Sequence, residues 1–454
     1  MSVNPATFAR PEGESDSPVF VPAGEYHPRP AGCDYVDAEW FAAGVDDAAH
    51  PYMTQVYVRL PRDPARFSGT VIVEPLHEAR IAPIFLYSSP YVLRSGHGWA
   101  CVASQKSALD AHVKPTDPSR YGPLDIGSDS PRPTASRPSA ARRDGGLEGN
   151  DDFLGQLLRY NHASNAILAQ VGAAVAMRQG PFDRLDVRYV LLVGHSQTGS
   201  LVTDFMLHAH ESHRLADGSP IFDGYFPSGF PSLALGRLDV PVVQLLSDGD
   251  ILNPHFAFRP GLEGRQYRRP DSDEPNDRYR LYELAGVPHM GTRYPPHNDA
   301  DFWVQFGDTP GINPDSVMNS LPHNELFNMA LDHLVQWVAT GKSPPSAERI
   351  QVGPDGFFAK DRHGNTLGGV RCAQMDIPRA TYHSLAPPPG GEYGFGTVGI
   401  EIPFDRSKLS ELYLDHDDYV RRFNLRLDEL MAEGWFLPQD ADDMHREASA
   451  ANVP

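Results

Sequence analysis

An apolar run that ends in a serine turn is the feature that most constrains the fold of this chain. Residues 187–193 read VRYVLLV, and GHSQTG follows directly at 194–199. The run is typical of a strand buried on both faces of a parallel sheet. A strand that ends in Gly-x-Ser and opens into a helix projects the serine hydroxyl at the helix N-terminus, so Ser196 is predicted to be a nucleophile. Thr198 stands where this turn usually has its second glycine, with Gly199 one place later.

The order of chemical groups along the chain predicts the general base. Proteins that carry this strand–serine–helix turn place their serine first, then an acid, then a histidine. The sequence AGVPHMG at 285–291 follows a predicted strand, Tyr279–Leu284. A histidine in a loop of small residues at a strand end can take the serine proton, so His289 is the candidate base.

Two acids follow a strand that lies between the serine and the histidine in the chain. Val242–Leu246 is predicted to be a strand, and SDGD follows it at 247–250. Asp250 is the candidate acid because Gly249 can adopt the positive φ that brings the end of this turn over the neighbouring strand. Asp248 is the alternative acid, although at that position it would more naturally accept N–H groups within the turn.

When a serine attacks a carbonyl group, the carbonyl oxygen becomes an oxyanion, which needs hydrogen-bond donors. The backbone N–H of Gln197, directly after the serine, is predicted to be one donor. The second donor is expected from the loop EPLHE at 74–78, which follows a short β-branched run. Proline has no N–H, so Leu76 or His77 is the candidate. His77, through its side chain, and His195, directly before the serine, are the candidate substrate-binding residues.

Composition and charge exclude several functional classes. The 454 residues include 39 Lys plus Arg against 59 Asp plus Glu, a formal charge of −20. Such a surface repels nucleic-acid phosphates and anionic membranes. No run approaches the roughly 20 apolar residues that cross a bilayer, and the first residues lack the basic-then-apolar pattern of a secretory signal. We therefore expect a cytoplasmic protein that acts on a small molecule, with neither nucleic acid nor membrane as partner.

The sequence predicts neither a metal site nor a cofactor. The three cysteines are too few and too far apart for a zinc cluster or a disulfide framework. His208, His210 and His213 lie on the helix predicted after the serine turn, where residues two apart face different sides and do not converge on one ion. No dinucleotide-binding glycine pattern follows a strand.

Strands alternate with helices from about residue 52 to residue 340, which predicts an α/β fold with a mostly parallel sheet covered by helices. Helices are expected over 80–94, with interruptions near Pro83 and Pro90, over 151–178, from 197 and over 325–340. Strands are expected at Val56–Leu60, Thr70–Val73, Trp99–Ser104, Val187–Val193, Phe222–Phe226, Val242–Leu246 and Tyr279–Leu284.

The same pattern gives the expected organisation of the chain. Residues 1–50, rich in proline, glycine and acids, read as an irregular lead-in, and 51–454 as a single domain. Within that domain, the Pro/Ser/Gly/Arg-rich stretch 121–150 has no periodicity and is predicted to be a mobile insert and a candidate lid. Residues 400–436 are predicted to form a C-terminal helical extension.

Several stretches carry a resemblance to a known family. They are GTVIVE (69–74), DPSRYGPL (117–124), GHSQTG (194–199), FDG (222–224), VPVVQL (240–245), ELAGVPH (283–289) and GNTLGGVR (364–371). The chain resembles the bacterial and fungal α/β-hydrolase domain family, over about residues 52 to 436. The resemblance implies the α/β-hydrolase fold and a triad of Ser196, His289 and either Asp250 or Asp248. The family usually has Trp-Leu-Asn where this chain has Pro-Leu-His at 75–77.

The leading functional hypothesis is hydrolysis of a carboxylic ester or lactone through an acyl-enzyme. Ser196 would attack the carbonyl carbon while His289 relays the proton. The alternative is an acyltransferase, a thioesterase or a lyase that acts on a specialised metabolite with the same triad. A different class is a non-catalytic ligand-binding protein on the hydrolase scaffold, which loss of a triad member would favour. Every triad member is present in this sequence.

Overall fold

A computed structural model gives the fold of the chain. It describes residues 2–11, 19, 30–78, 81–127, 162–231, 235–252, 268–294, 316–354, 357–385 and 397–453. The chain forms two compact units: the first is Met1–Val242, Glu274–Arg278 and Val338–Gly341, and the second is Val243–Asp273, Tyr279–Trp337 and Lys342–Pro454. The chain passes between the two units several times, so no single linker marks their boundary. For this reason the sequence predicts a single domain over 51–454.

The first unit is built on a sheet with the strand order β1-β2-β3-β5-β4-β6-β7. These strands are β1 (Thr7–Ala9), β2 (Tyr35–Val45), β3 (Pro51–Pro61), β4 (Thr70–Pro75), β5 (Gly98–Val102), β6 (Tyr189–His195) and β7 (Gly224–Ser228). The neighbours β5-β4, β4-β6 and β6-β7 are parallel. The predicted parallel sheet is therefore confirmed in the part of the chain that carries Ser196.

The prediction of an irregular lead-in over residues 1–50 is wrong for its described part, which contains strands β1 and β2. The eleven-residue strand β2 pairs antiparallel with β3 from Tyr35 opposite Pro61 to Val45 opposite Pro51, and β1 pairs with β2. An antiparallel strand near a sheet edge needs one apolar face only. The polar residues on its other face masked the strand pattern in the sequence.

Helices flank these strands in the order that the sequence predicts. The first unit contains α1 (Pro83–Arg94), α2 (Lys106–Ala108), α3 (Pro118–Tyr121), α4 (His162–Ala176) and α5 (Gln197–Asp204). Helix α1 begins at Pro83 but continues through Pro90, where an interruption is predicted. Proline removes one helical hydrogen bond, and the buried residues on both sides of Pro90 offset that loss. Most of the predicted insert 121–150 and the start of the predicted helix 151–178 lie outside the described residues.

The parallel strands form the core of the first unit. Val71, Ile72 and Val73 of β4 are fully buried, as are the middle residues of β6. The indole of Trp99 on β5 stacks on Phe85 of α1 with 4.1 Å between ring centroids. Burial on both faces holds the carboxyl ends of these strands, and the loops that follow them, in fixed positions.

The second unit contains most of three strands in the order β8-β10-β9, which are β8 (Val242–Ser247), β10 (Asp277–Leu284) and β9 (Ser272–Glu274). Val242 of β8, the first two residues of β10 and Glu274 of β9 belong to the first unit. A small sheet has the order β11-β13-β12, formed by Val317–Met318, Ile400–Pro403 and Ala380–His383. The helices are α6 (Asp248–Leu252), α7 (His323–Thr340, whose last three residues belong to the first unit), α8 (Ala373–Asp376), α9 (Arg406–Leu412), α10 (His416–Ala432) and α11 (Pro438–Ser449).

The C-terminal region differs in detail from the extension predicted over 400–436. It begins with strand β13, and its helices run on to Ser449. Helix α10 starts at the cap residue Asp415, whose side chain accepts the N–H of Asp418, and it buries Tyr419, Phe423, Leu427 and Leu430 on one face. Within the described ranges, no helix has the length and apolar character needed to cross a membrane.

Candidate active site

Ser196 lies at the turn between β6 and α5 in a strained backbone conformation. Its φ is 59° and its ψ is −126°, and only two other non-glycine residues of the described chain have a positive φ. Such a conformation costs a non-glycine residue about 1–3 kcal/mol. The Ser196 N–H donates to the carbonyl of Ser228 at 3.0 Å, and its carbonyl accepts the N–H of Ser200 at 3.1 Å. These bonds hold the serine where the strand ends and the helix begins.

Two glycines allow this turn to close. A Cβ on Gly194 would lie 2.4 Å from the carbonyl oxygen of Thr198, and a Cβ on Gly199 would lie 2.1 Å from that of Ser228. Thr198, in the place of the usual second glycine, is buried. Its hydroxyl donates to the carbonyl of His195 at 2.9 Å and accepts the N–H of the same residue at 3.0 Å. The close approach therefore falls on Gly199, and Thr198 stabilises the turn through its hydroxyl.

His195 has a structural position rather than the substrate-binding one predicted for it. Its side chain is 1% exposed, its Nδ1 lies 3.0 Å from the hydroxyl of Ser228, and Tyr87 packs edge-on against its ring. Gly229 lies against the ring, where a Cβ would come within 2.4 Å of it. The His195 side chain therefore packs within the core beside the serine turn.

The backbone N–H groups of Leu76 and His77, the two candidates for the second oxyanion donor, already have acceptors. The N–H of Leu76 donates to the carbonyl of Val102 at 2.8 Å, and the N–H of His77 donates to that of Ile81 at 3.0 Å. Both backbone donors are already used, so neither can serve an oxyanion in this conformation. Gln197 differs, because its N–H belongs to the first turn of α5, where no intrahelical acceptor exists. The side chain of His77, a candidate for substrate binding, is half-buried.

Asp250 and His289, both in the second unit, form a buried hydrogen-bonded pair. The imidazole Nδ1 and the carboxylate Oδ1 are in contact, and the two side chains are 1% and 2% exposed. Asp250 Oδ2 accepts the N–H of Ser247 at 2.6 Å, and the Asp250 N–H donates to the Ser247 hydroxyl at 2.9 Å. This bonding holds the imidazole ring of His289 by its Nδ1.

Gly249 brings the acid loop against the histidine loop. Its N–H donates to the carbonyl of Val287 at 3.0 Å. A Cβ at this position would lie 2.7 Å from the backbone N of His289 and 3.1 Å from Pro288. Gly249 lies within α6 and is not among the glycines with a positive φ, so the positive φ expected for it is wrong. Glycine is needed here because of the close approach to His289, which lets Asp250 reach the imidazole.

Asp248, the alternative acid, does not contact His289 but joins three other segments. Its buried carboxylate accepts the N–H of Gly286 at 3.1 Å, the hydroxyl of Thr366 at 2.5 Å and the hydroxyl of Ser384 at 2.7 Å. Asp248 thus fastens the acid loop to the chain that leads into His289. Sequence reasoning missed Thr366 and Ser384, since no local pattern connects them with residue 248.

Glu74 anchors the start of α1 at the end of β4. Its carboxylate is fully buried and accepts the N–H groups of Ile84 at 2.7 Å and Phe85 at 3.1 Å and the indole N–H of Trp99 at 3.0 Å. Burial raises the pKa of the Glu74 carboxyl to about 7, and the hydrogen bonds from Ile84, Trp99 and Phe85 oppose this rise. Glu74 therefore fixes the strand end from which the loop at 76–78 departs.

The histidines considered as metal ligands have separate partners. His210 is buried, with Nδ1 2.8 Å from the Tyr225 hydroxyl and Nε2 2.6 Å from Asp239, whereas His213 Nε2 lies 3.2 Å from Asp47. His210, Glu211 and Asp239 form the one group within the described ranges that could hold an ion. Arg214 already donates to Asp239 at 2.8 Å, so a cation there would have to displace a guanidinium.

The family of the chain follows from a direct match. The model of the alpha/beta hydrolase domain family matches residues 23–446, which is nearly the whole sequence. The chain therefore belongs to the alpha/beta hydrolase domain family, and it has the mostly parallel sheet and flanking helices expected of this fold. The family membership expected from the sequence is confirmed.

Similar solved structures include several hydrolases. LpqC, a poly(3-hydroxybutyrate) depolymerase from Bordetella parapertussis, is 12% identical and has a TM-score of 0.34, with 68% of this chain and 92% of that chain covered. A dienelactone hydrolase from Anabaena variabilis is 12% identical with a TM-score of 0.28, covering 54% and 86%. A bacterial esterase is 14% identical with a TM-score of 0.29, covering 57% and 89%. No curated protein matches the sequence. Likeness at this level does not indicate a substrate.

The environment of Glu74 predicts a pH dependence of stability. Its pKa is raised from 4.5 to about 7 in the folded chain, so between these values the native state holds a proton that the unfolded chain has lost. The stability contributed by this group is present below about pH 4.5 and is lost as pH rises through about 7. Glu74→Gln does not titrate there. The wild type should therefore lose stability relative to Glu74→Gln as pH rises from 5 to 8, by more than about 1 kcal/mol.

Urea unfolding of both proteins at four pH values measures this difference. Glu348→Gln, at an exposed position, is the matched control. A difference between wild type and Glu74→Gln that does not change with pH contradicts the assignment.

Proposed function

We propose that this protein is a serine hydrolase that cleaves a small-molecule carboxylic ester or lactone through an acyl-enzyme on Ser196. The observation that supports this most is the strained conformation of Ser196 at the end of β6. Strain persists only where the surroundings enforce it, and it concentrates at functional sites. Here the carbonyl of Ser228 and the close approaches at Gly194 and Gly199 enforce it. A turn with no chemical role could remove the strain with a glycine in place of the serine.

The proposed reaction begins with attack of the Ser196 hydroxyl oxygen on the carbonyl carbon. As the new C–O bond forms, Nε2 of His289 takes the serine proton, and the carbonyl oxygen becomes an oxyanion. When the tetrahedral intermediate collapses, the bond to the leaving alcohol breaks and His289 returns the proton to it. Water then repeats the sequence on the acyl-enzyme, with His289 again as the base, and releases the acid and the free serine.

Asp250 is proposed as the acid that orients His289. Its contact with Nδ1 fixes the tautomer in which Nε2 can accept the serine proton, and a carboxylate there stabilises the imidazolium that forms during the reaction. The second carboxylate oxygen is held by Ser247, so the acid cannot rotate away. Asp248 is engaged by Gly286, Thr366 and Ser384, which leaves it a role in holding the loop.

The N–H of Gln197 is proposed as an oxyanion donor. It lies in the first turn of α5, where unsatisfied N–H groups and the helix dipole both favour negative charge. A donor fixed in a helix turn needs no reorganisation as charge develops on the oxygen.

Replacement of the nucleophile should abolish turnover and leave the fold intact. We expect Ser196→Ala to lower kcat by about 10⁴-fold or more, since only binding and the oxyanion donor remain. Initial rates on a panel of p-nitrophenyl esters and lactones measure this, with circular dichroism to verify the fold. Ser346→Ala, at an exposed position, is the control and should match the wild type. A Ser196→Ala protein that keeps a tenth of the wild-type rate rules out the assignment.

The two acids should respond very differently to the same substitution. Asp250→Asn removes the charge beside the imidazole and allows the wrong tautomer, so kcat should fall by about 10³–10⁴-fold. Asp248→Asn weakens a buried hydrogen-bond cluster, so it should lower the free energy of unfolding while kcat stays within about tenfold of wild type. Parallel measurement of kcat and urea unfolding separates the two effects. A larger loss of kcat in Asp248→Asn would reverse the roles given to these residues.

A further inference from the structure

Gln105 and Gln197 form a reciprocal pair of side-chain amides in the first unit. Gln105 Nε2 donates to Gln197 Oε1 at 3.1 Å, and Gln197 Nε2 donates back to Gln105 Oε1. Gln105 Nε2 also donates to the carbonyl of Leu76 at 3.0 Å. Gln105 is 8% exposed, so water cannot readily replace these bonds. Each buried group left without its partner would cost about 1–3 kcal/mol.

This pair connects the ends of three adjacent strands. Leu76 follows β4, Gln105 follows β5 after two further residues, and Gln197 follows β6 and the serine. In the sheet, β4 lies between β5 and β6. The side chain of Gln105 thus reaches from one side of β4 to the residue after the proposed nucleophile on the other side, and contacts the β4 loop on the way.

The position of Gln197 matters more here because the two expected donors of the loop, the N–H groups of Leu76 and His77, are already bonded. The carbonyl of Leu76 accepts from Gln105. The oxyanion contact of the proposed reaction therefore depends on the N–H of Gln197. Displacement of a catalytic group by about 1 Å can cost about 10²-fold in rate.

We propose that Gln105 is a positioning residue for catalysis, which fixes the first turn of α5, and with it the Gln197 N–H, against the loop after β4. The inference rests on the proposed function, because it concerns the oxyanion contact of that reaction. The side chain of Gln105 acts through Gln197 and does not touch the reacting atoms. Gln105 could have been noted in the sequence, since it follows a predicted parallel strand, where catalytic loops begin.

The test uses Gln105→Met and Gln197→Met, which keep the length of the side chain and remove the amide. With p-nitrophenyl acetate as substrate, each should lower kcat by about 10–100-fold and change KM by less than about threefold, because the oxyanion exists only after attack. The affinity for an aryl trifluoromethyl ketone, which forms a tetrahedral adduct with an active serine, should fall by the same factor as kcat. A merely structural defect would not produce this parallel loss. Gln336→Met, on an exposed position of α7, is the control.

The double variant decides whether the two amides act as one unit. If they do, Gln105→Met/Gln197→Met should lose no more activity than either single variant. Wild-type kcat in a folded Gln105→Met protein, or losses that multiply in the double variant, overturns the proposal. If Gln105→Met does not fold, Gln197→Met alone decides, and wild-type kcat in that variant overturns it equally. Ser196→Ala is assayed beside them: retained turnover there defeats the proposed function, whereas a dead Ser196→Ala with an active Gln105→Met defeats only this inference.

Discussion

The serine turn depends on the carbonyl group of Ser228, which lies at the end of β7. It accepts the N–H of Ser196, and it lies so close to α5 that only a glycine fits at position 199. Ser196, the residue directly before this helix, has a positive φ. Burial of β4 and β6 provides stability that offsets this strain.

Close backbone approach also brings together Asp250 and His289, the proposed acid and base, in the second unit. Gly249 allows two loops to approach, Ser247 holds one oxygen of Asp250, and the other oxygen meets His289. Asp248, two residues earlier, ties the same loop to segments far away in the sequence. Asp248 and Asp250 thus have different contacts. Asp250 contacts the imidazole of His289, and Asp248 holds the loop that contains Asp250.

The sequence predicted the structure best where a candidate catalytic residue directly follows a strand. The strands before Ser196 and before the two acids have strong apolar runs, the strand before His289 mixes apolar with charged residues, and the structure contains all three. It was least informative where a bond joins distant segments. The N–H of Leu76 is used by the carbonyl of Val102, and this partner could not be recognised without the register of β4 against β5. Strand β2 was missed because only one of its faces is apolar, and the boundary between the units because no linker marks it.

Labelling with a fluorophosphonate probe tests the central claim most directly. An activated serine displaces fluoride from the probe and forms a stable phosphonyl ester, which mass spectrometry of the digested protein locates to one residue. We expect one phosphonyl group per chain, on the peptide that contains Ser196, and none in Ser196→Ala or in protein unfolded with urea before the probe is added. A label on another residue, or no label in a folded protein that cleaves esters, would contradict the account.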